Sequence, residues 1–261
     1  RVSPRIPHRF ITLVLFVLMT VGYVATPTVA EAADTNPPSA PPHGGCTPNP
    51  VVTNTNDSGA GSLRDAVAIA CAGSTITVNL PANSTTTLTG GGITLDKTLT
   101  IDGSGSVNYQ VSGNNTGRIF LTADSAVTLN DFTIRDGRTP RGPGVGVNGT
   151  GLVTLNRLVF ANNYAIDEGG AVWVGTNRSL RVFDSTFTGN GTNGGGGALF
   201  MNSGANVLIH NSTFTANDGS PSVLSGASSS ATLRVINSTF SGNTRGPAIG
   251  NFGTFTVINS T

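Results

Sequence analysis

The sequence predicts an all-β protein, a right-handed parallel β-helix with a short N-terminal capping helix. The first observation behind this prediction is a Phe-x-x-Asn motif that recurs at intervals of 26 or 27 residues. It occurs as Phe160-Ala-Asn-Asn163, Phe187-Thr-Gly-Asn190, Phe214-Thr-Ala-Asn217 and Phe240-Ser-Gly-Asn243. A fixed period of this length indicates units that bury their apolar face only by stacking on their neighbours.

The second observation is a pair of aliphatic positions before each phenylalanine, with Ile134 taking its place upstream. The residue five places earlier is Leu129, Leu155, Val182, Ile209 or Val235. The residue seven places earlier is Val127, Val153, Leu180, Val207 or Leu233. The residues between them are mostly polar or charged, which gives the period of two that is typical of a strand. This alternation excludes a helical solenoid.

A second strand is predicted earlier in each period, after a Gly-rich turn. The apolar pairs are Val145/Val147, Val172/Val174 and Leu199/Met201, and the turns before them are Gly142-Pro-Gly144, Gly169-Gly-Ala171 and Gly196-Gly-Ala198. Like strands of successive turns are expected to pair in parallel about 4.8 Å apart.

The segment before the repeats is predicted to form the first, irregular coils and a cap. Short strands are expected at 75–80, 85–89, 99–102, 107–111 and 118–122. Ser62 to Cys71 is predicted as a helix because Ser62 can cap its start, Asp65 stands at the capping-box position and Gly73 follows its end. This helix is expected to cover the open end of the solenoid.

Two polar columns are predicted at the bends of the coils. Asn163, Asn190, Asn217 and Asn243 form one, in which stacked amides can bond along the axis. Asp131, Arg157, Asp184, Asn211 and Asn237 form the other, where Asx-turns are expected to make the corner. The second column fits an exposed ion-pair ladder worth about 0–1 kcal/mol per pair; the alternative is a carbohydrate or metal subsite.

These residues resemble a known group. Phe-x-x-Asn alternating with Gly169-Gly-Ala-Val172 and Gly196-Gly-Ala-Leu199 is similar to the repeats of chlamydial polymorphic outer-membrane proteins, over about residues 130–261. Upstream, residues 52–66 resemble the N-terminal domain named for its Cys-Ser-Leu-Arg-Glu-Ala stretch, with Gly61 and Asp65 replacing the Cys and the Glu. The resemblance implies a pectin-lyase-like solenoid, surface exposure and often adhesion, and it carries over no catalytic residues.

The first residues predict export. Arg1, Arg5 and Arg9 precede an apolar run and the small-residue site Ala30-Glu-Ala32, an order typical of a secretory signal peptide. We therefore expect a signal peptide at 1–32, a Pro-rich linker at 33–45, an N-terminal cap at 46–74 and a C-terminally truncated β-helix at 75–261. No membrane span is expected after signal removal, and the formal net charge of +1 offers no basic patch for nucleic acid.

Export also bears on the two cysteines. In an oxidising compartment a disulfide between Cys46 and Cys71 is the default expectation, and a free thiol pair or metal site is the alternative.

Catalysis is the main rival to a surface role, because parallel β-helices also include polysaccharide lyases and hydrolases. Such enzymes need clustered carboxylates for acid/base work or calcium. The best cluster is Asp136, Asp167 and Glu168, expected in turns of adjacent coils near several arginines. A solvated turn is the competing interpretation, and calcium is implied only if the lyase alternative holds.

The remaining candidate side chains are aromatic. Trp173 and Tyr164 can stack on sugar rings, but isolated aromatics on a strand face usually serve packing. His210 has no Ser or Cys nucleophile assigned to it, which favours a surface histidine. The sequence therefore predicts a secreted, extracellular or cell-surface adhesin or passive scaffold without a cofactor, whose partners are host-cell or extracellular-matrix glycans or proteins; a lyase or hydrolase is the alternative.

Overall fold

The structure is a computed structural model and describes residues 45–250 and 253–261. The signal peptide expected at 1–32 and nearly all of the linker expected at 33–45 lie outside the described residues. Within them the chain is a parallel β-solenoid, and the predicted fold class is confirmed. Each full coil runs in turn through four parallel sheets, here named sheets 1 to 4 in the order in which a coil visits them.

Sheet 1 is the longest and carries both aliphatic columns of the repeat. Its nine strands are Val51–Val52, Ser74–Val78, Leu99–Asp102, Val127–Asn130, Val153–Asn156, Ser179–Phe183, Asn206–His210, Thr232–Ile236 and Thr254–Ile258. Val153 pairs with Leu180 and Leu155 with Val182, so like residues of successive coils stand in register. Their side chains are buried, whereas the residues between them face outward.

Sheet 2 carries the phenylalanines. Its strands are Thr85–Thr87, Gln110–Ser112, Thr133–Arg135, Val159–Ala161, Thr186–Thr188, Thr213–Thr215 and Thr239–Ser241. The rings of Phe160, Phe187, Phe214 and Phe240 stack face to face along the axis, with centroid separations of 4.6, 4.7 and 4.8 Å. The first three rings are fully buried.

Sheets 3 and 4 complete the coil. Sheet 3 has the strands Arg138–Arg141, Tyr164–Glu168, Gly191–Thr192 and Asp218–Gly219. Sheet 4 has the strands Ile93–Leu95, Phe120–Thr122, Val145–Val147, Val172–Val174, Leu199–Met201, Leu224–Gly226 and Ile249–Gly250. Gly169 and Gly170 lead into sheet 4: Gly169 has a φ of +66°, and a Cβ on Gly170 would meet the Gly197 carbonyl oxygen at 1.9 Å. The Gly-Gly-Ala motif is thus a steric requirement of this turn.

An asparagine ladder fills the bend between sheets 2 and 3. Oδ1 of Asn190 accepts hydrogen bonds from the backbone N–H of Asn163 at 3.1 Å and from its Nδ2 at 3.0 Å. Nδ2 of Asn190 donates onward to Oδ1 of Asn217 at 2.9 Å and also to the carbonyl of Phe160 at 2.9 Å. Asn243 continues the pattern beneath Asn217. Asn163, Asn190 and Asn217 are almost completely buried, yet their amides are hydrogen-bonded.

The bend between sheets 1 and 2 differs from the Asx-turns that the sequence predicted. Asp131, Arg157, Asp184, Asn211 and Asn237 form the bend with a left-handed backbone, at φ values from +49° to +63°. In three of these bends, the side chain that bonds back to the backbone belongs instead to the next residue, the one that follows Asp184, Asn211 or Asn237.

That residue is a serine, and it forms a second buried ladder. Oγ of Ser212 donates to the carbonyl of His210 at 3.0 Å and accepts from the backbone N–H of Ser185 at 3.2 Å. Ser238 and Ser260 repeat the arrangement in the next coils. The corner therefore depends on a serine that the sequence analysis had not singled out.

The N-terminal cap contains the helix Leu63–Ile69, named α1, which is shorter than the predicted 62–71. Ser62 accepts from the N–H of Asp65, and Leu63, Ala66 and Val67 are buried in the core. Cys46 and Cys71 form a disulfide.

Charged side chains complete the cap. The carbonyls at the end of α1 accept hydrogen bonds from Lys97 Nζ at 2.7 to 3.2 Å, so a lysine of a later coil supplies the cation that the last turn lacks. Asp57 pairs with Arg64 at 2.7 Å and accepts from the backbone N–H groups of Thr89 and Gly90. Arg64 also donates to the carbonyls of Gly91 and Gly92.

Two strand predictions need correction. The strand predicted at 107–111 begins later, at Gln110, because Val107 is 67% exposed whereas Tyr109 and Val111 are buried. The strand Ile93–Leu95, whose Ile93 and Leu95 face the core, is an addition to the predicted strands.

We expect Phe187→Ala or Phe214→Ala to lower the free energy of unfolding by about 3–5 kcal/mol, since each leaves a cavity between two stacked rings. Thr188→Ala, beside the same ring but facing outward, should cost under about 1 kcal/mol. Chemical denaturation of the three variants checks this, and equal small losses would contradict the register.

The pKa of Asp57 predicts how the cap responds to acid. Partial burial raises it, but hydrogen bonds from Arg64, Gly90 and Thr89 outweigh burial, so the folded-state pKa lies below the ordinary 3.8. The carboxylate therefore contributes stability above about pH 4 that is lost as the pH falls through the folded pKa. The melting temperature of the wild type should exceed that of Asp57→Asn at neutral pH, and this difference should shrink as the pH falls to 3. A constant difference would show that Asp57 is not responsible.

Candidate functional site

The three candidate catalytic carboxylates have separate environments. Asp136 accepts from Arg135 Nη1 at 2.5 Å and from the Ser112 hydroxyl at 3.3 Å. Glu168 lies 3.2 Å from Arg141 Nε, and Asp167 is exposed. Asp167 and Glu168 lie in the strand Tyr164–Glu168 and not in a turn as expected, because the chain continues into sheet 3 before it bends. Two of the three carboxylates are thus held as ion pairs.

Nor do the acidic residues that the structure describes form a metal centre. Within the residues that the structure describes, no group of three or more His, Cys, Asp or Glu side chains is arranged to hold a metal ion. A calcium site of the kind that a lyase needs has several carboxylate and carbonyl oxygens around one point. The described side chains provide no such set.

The two candidate aromatic platforms are packed by their neighbours. The guanidinium of Arg138 lies 4.8 Å from the centre of the Tyr164 ring, and the Tyr164 hydroxyl donates to Asn193 at 2.7 Å. The ring also lies near Gly191, where a Cβ would stand 3.5 Å from Cδ2 of Tyr164. Tyr164 is therefore packed against Arg138 and hydrogen-bonded to Asn193.

Trp173 is half-buried and is packed in a similar way. The guanidinium of Arg141 lies 6.0 Å from its ring, and a Cβ on Gly175 would stand 3.2 Å from Cζ3 of the indole. Its Nε1 is buried and has no hydrogen-bond partner among the described residues. These contacts favour packing over sugar binding for both rings.

The bend column of Asp131 and Arg157 is an exposed ladder of polar pairs. Arg157 donates to both carboxylate oxygens of Asp131, at 2.7 and 2.6 Å. This bidentate contact raises the pKa of Arg157 above its ordinary value, although slight burial acts in the opposite direction. Two coils along, Asn211 donates to Asp184 at 2.5 Å. Because these groups bind one another, they leave no open ligand set.

A site that the sequence analysis missed lies on the outer face of sheet 1. It is a shallow groove of about 440 Å³, here called the arginine groove. Its lining residues are Leu152, Ser179, Leu180, Arg181, Asn206, Val207, Leu208, Thr232 and Arg234. Arg181, Leu208 and Arg234 form one column, since Arg181 pairs with Leu208 and Leu208 with Arg234 in the sheet register.

Both arginines of the groove project into solvent. Neither Arg181 nor Arg234 lies within ion-pair distance of a carboxylate among the described residues. The neighbouring outward column holds Phe183 and His210, whose rings lie 6.3 Å apart. The sequence contained a signal for this site, because both arginines stand between the two aliphatic positions of their repeats. The alignment of the repeats could not show that neither arginine has a carboxylate partner.

With the geometry described, comparison with known proteins defines the class. Residues 97–261 match the family described as a right handed beta helix region. The match covers more than half of the chain, and the protein belongs to this family; its handedness follows the rule for parallel crossover connections. No curated protein matches the chain, and no solved structure matches it. In the part of the chain that the structure describes, no helix has the length and apolar character to cross a membrane.

Proposed function

We propose that this protein is a secreted or cell-surface β-helix that acts as an adhesin or passive surface scaffold. The observation that carries the proposal is the state of the candidate catalytic carboxylates. Asp136 and Glu168 are each held in an ion pair with an arginine, whereas a glycoside hydrolase uses a pair of carboxyl groups that flank the scissile bond.

Three further features support a surface role. The N-terminal residues have the order of a signal peptide. The disulfide of the cap suits an oxidising compartment. The Phe-x-x-Asn and Gly-Gly-Ala motifs resemble chlamydial polymorphic outer-membrane repeats, and the cap resembles the Cys-Ser-Leu-Arg-Glu-Ala domain; both imply exposure and adhesion. Host-cell or extracellular-matrix glycans or proteins are the partners we propose.

The fold is also consistent with pectin-lyase-like proteins, and the arginine groove is the feature that favours this second candidate. An arginine near the substrate suits a polysaccharide lyase. The described residues that line the groove include no carboxylate, however, so calcium binding there would lack its strongest ligands. The scaffold proposal is therefore the better supported.

We expect no cleavage of polygalacturonate or other acidic glycans by the purified chain, with calcium or with a chelator. The measurement is the release of reducing ends and of unsaturated products over a long incubation. Turnover that disappears in Asp167→Asn or Glu168→Gln, while Asp124→Asn in an exposed loop retains it, would replace the scaffold by an enzyme.

Export gives a separate expectation. The protein recovered from the outside of the producing cell should begin at Ala33 and should contain Cys46 joined to Cys71 in non-reducing peptide mapping. Material that stays inside the cell with residues 1–32 attached, or with both cysteines free to alkylate, would count against the surface role.

A further inference from the structure

The arginines of the groove differ from most of the arginines around them. Arg64, Arg135, Arg141, Arg157 and Arg245 each form an ion pair with a carboxylate. Arg181 and Arg234 are exposed and have no such partner among the described residues. Two uncompensated cations on one flat face make that face complementary to an anionic ligand.

The register of sheet 1 sets the distance between the two charges. Arg181 and Arg234 stand in one column with Leu208 between them, so they are two strand spacings apart, about 9.6 Å between backbones. One linked pyranose ring is comparable in length with one strand spacing. A glycan that runs along the solenoid axis therefore places every second sugar next to an arginine.

The residues around the arginines match the remaining parts of such a glycan. Leu208 is half-buried and presents an apolar surface to the C–H face of the middle ring. Ser179, Asn206 and Thr232 form the adjacent column on the same face and offer hydroxyl and amide groups to sugar hydroxyls. An acidic group above Leu208 would lose hydration without gaining a cation.

We propose that the arginine groove binds an acidic polysaccharide in which every second sugar carries a carboxylate or a sulfate. The proposal rests on the adhesin function and names its ligand class. A peptide is the weaker occupant, because along this axis it crosses the strands. The backbone groups of those strands are already paired with the coils on either side, so they cannot bind an added strand.

The test is a binding titration of the whole chain with defined polymers. Hyaluronan supplies one carboxylate per disaccharide, keratan sulfate supplies sulfate, polygalacturonate has an acid on every sugar, and dextran is neutral. We expect hyaluronan or keratan sulfate to bind, with the stronger of the two identifying the anion. Polygalacturonate should bind more weakly and dextran not at all, and added salt should weaken binding because the charges are exposed.

Variants assign the binding to the groove. Arg181→Gln and Arg234→Gln should each reduce affinity by about tenfold or more, and the double variant should abolish it. Arg138→Gln is the matched control, since Arg138 is an exposed arginine of sheet 3 that also lacks an ion pair among the described residues; its affinity should stay unchanged. Thermal melts confirm that all four proteins are folded.

Several results would overturn the proposal. These are no binding by either alternating polymer, binding that survives the double variant, and polygalacturonate that binds as tightly as the alternating polymers. Polyglutamate that binds equally well through the same arginines would assign the groove to an acidic protein instead. A groove that binds no glycan leaves the scaffold role intact, whereas shortening of any polymer during the titration contradicts the scaffold role itself.

Discussion

The asparagine ladder between sheets 2 and 3 is the constraint on which the rest of the structure depends. A bend inside a solenoid buries backbone polar groups that the flanking strands cannot reach, and each unpaired group costs about 1–3 kcal/mol. Asn190 solves this by serving two coils at once: its Oδ1 accepts from Asn163, and its Nδ2 donates to Asn217 and to the Phe160 carbonyl. The bond exists only if the ladder asparagines of successive coils lie opposite one another, and they are 27 residues apart in one step and 26 in the next.

The register of the ladder then determines the core and the surface together. Because the ladder holds the register, Phe160, Phe187 and Phe214 lie directly above one another and stack with nearly parallel rings. The outward residues obey the same register, which is why Arg157 reaches Asp131 and why Arg181 and Arg234 share a column. A slip of one residue would turn the buried side chains of a strand toward solvent. The outward side chains therefore form parallel columns in which neighbours are one strand spacing apart, and any functional site on this face is built from such columns.

Much of the fold could be predicted from the sequence because one repeat supplies the same evidence several times. The aliphatic columns, the phenylalanines and the Gly-Gly-Ala turns each recur in register, and the solenoid follows from them. The first coils repeat less regularly, so Ile93–Leu95 was missed and the strand near Val111 was misplaced. Ser212 was overlooked because its role depends on a left-handed residue before it, and a backbone dihedral angle is not visible in composition. The candidate site was harder still, since the pairing of Glu168 with Arg141 and the isolation of Arg181 depend on side-chain positions that no periodicity reports.

Hydrogen exchange of the asparagine side-chain amides tests the register most directly. In an NMR exchange experiment on the whole chain, the Nδ2 protons of Asn190 and Asn217 should be protected, because they are buried and bonded to the next coil. The side-chain amide of Asn206, which is exposed on sheet 1, provides the internal reference. We expect the ladder amides to exchange orders of magnitude more slowly than Asn206. Exchange of Asn190 and Asn217 at the rate of Asn206 would show that the coils are not held in this register.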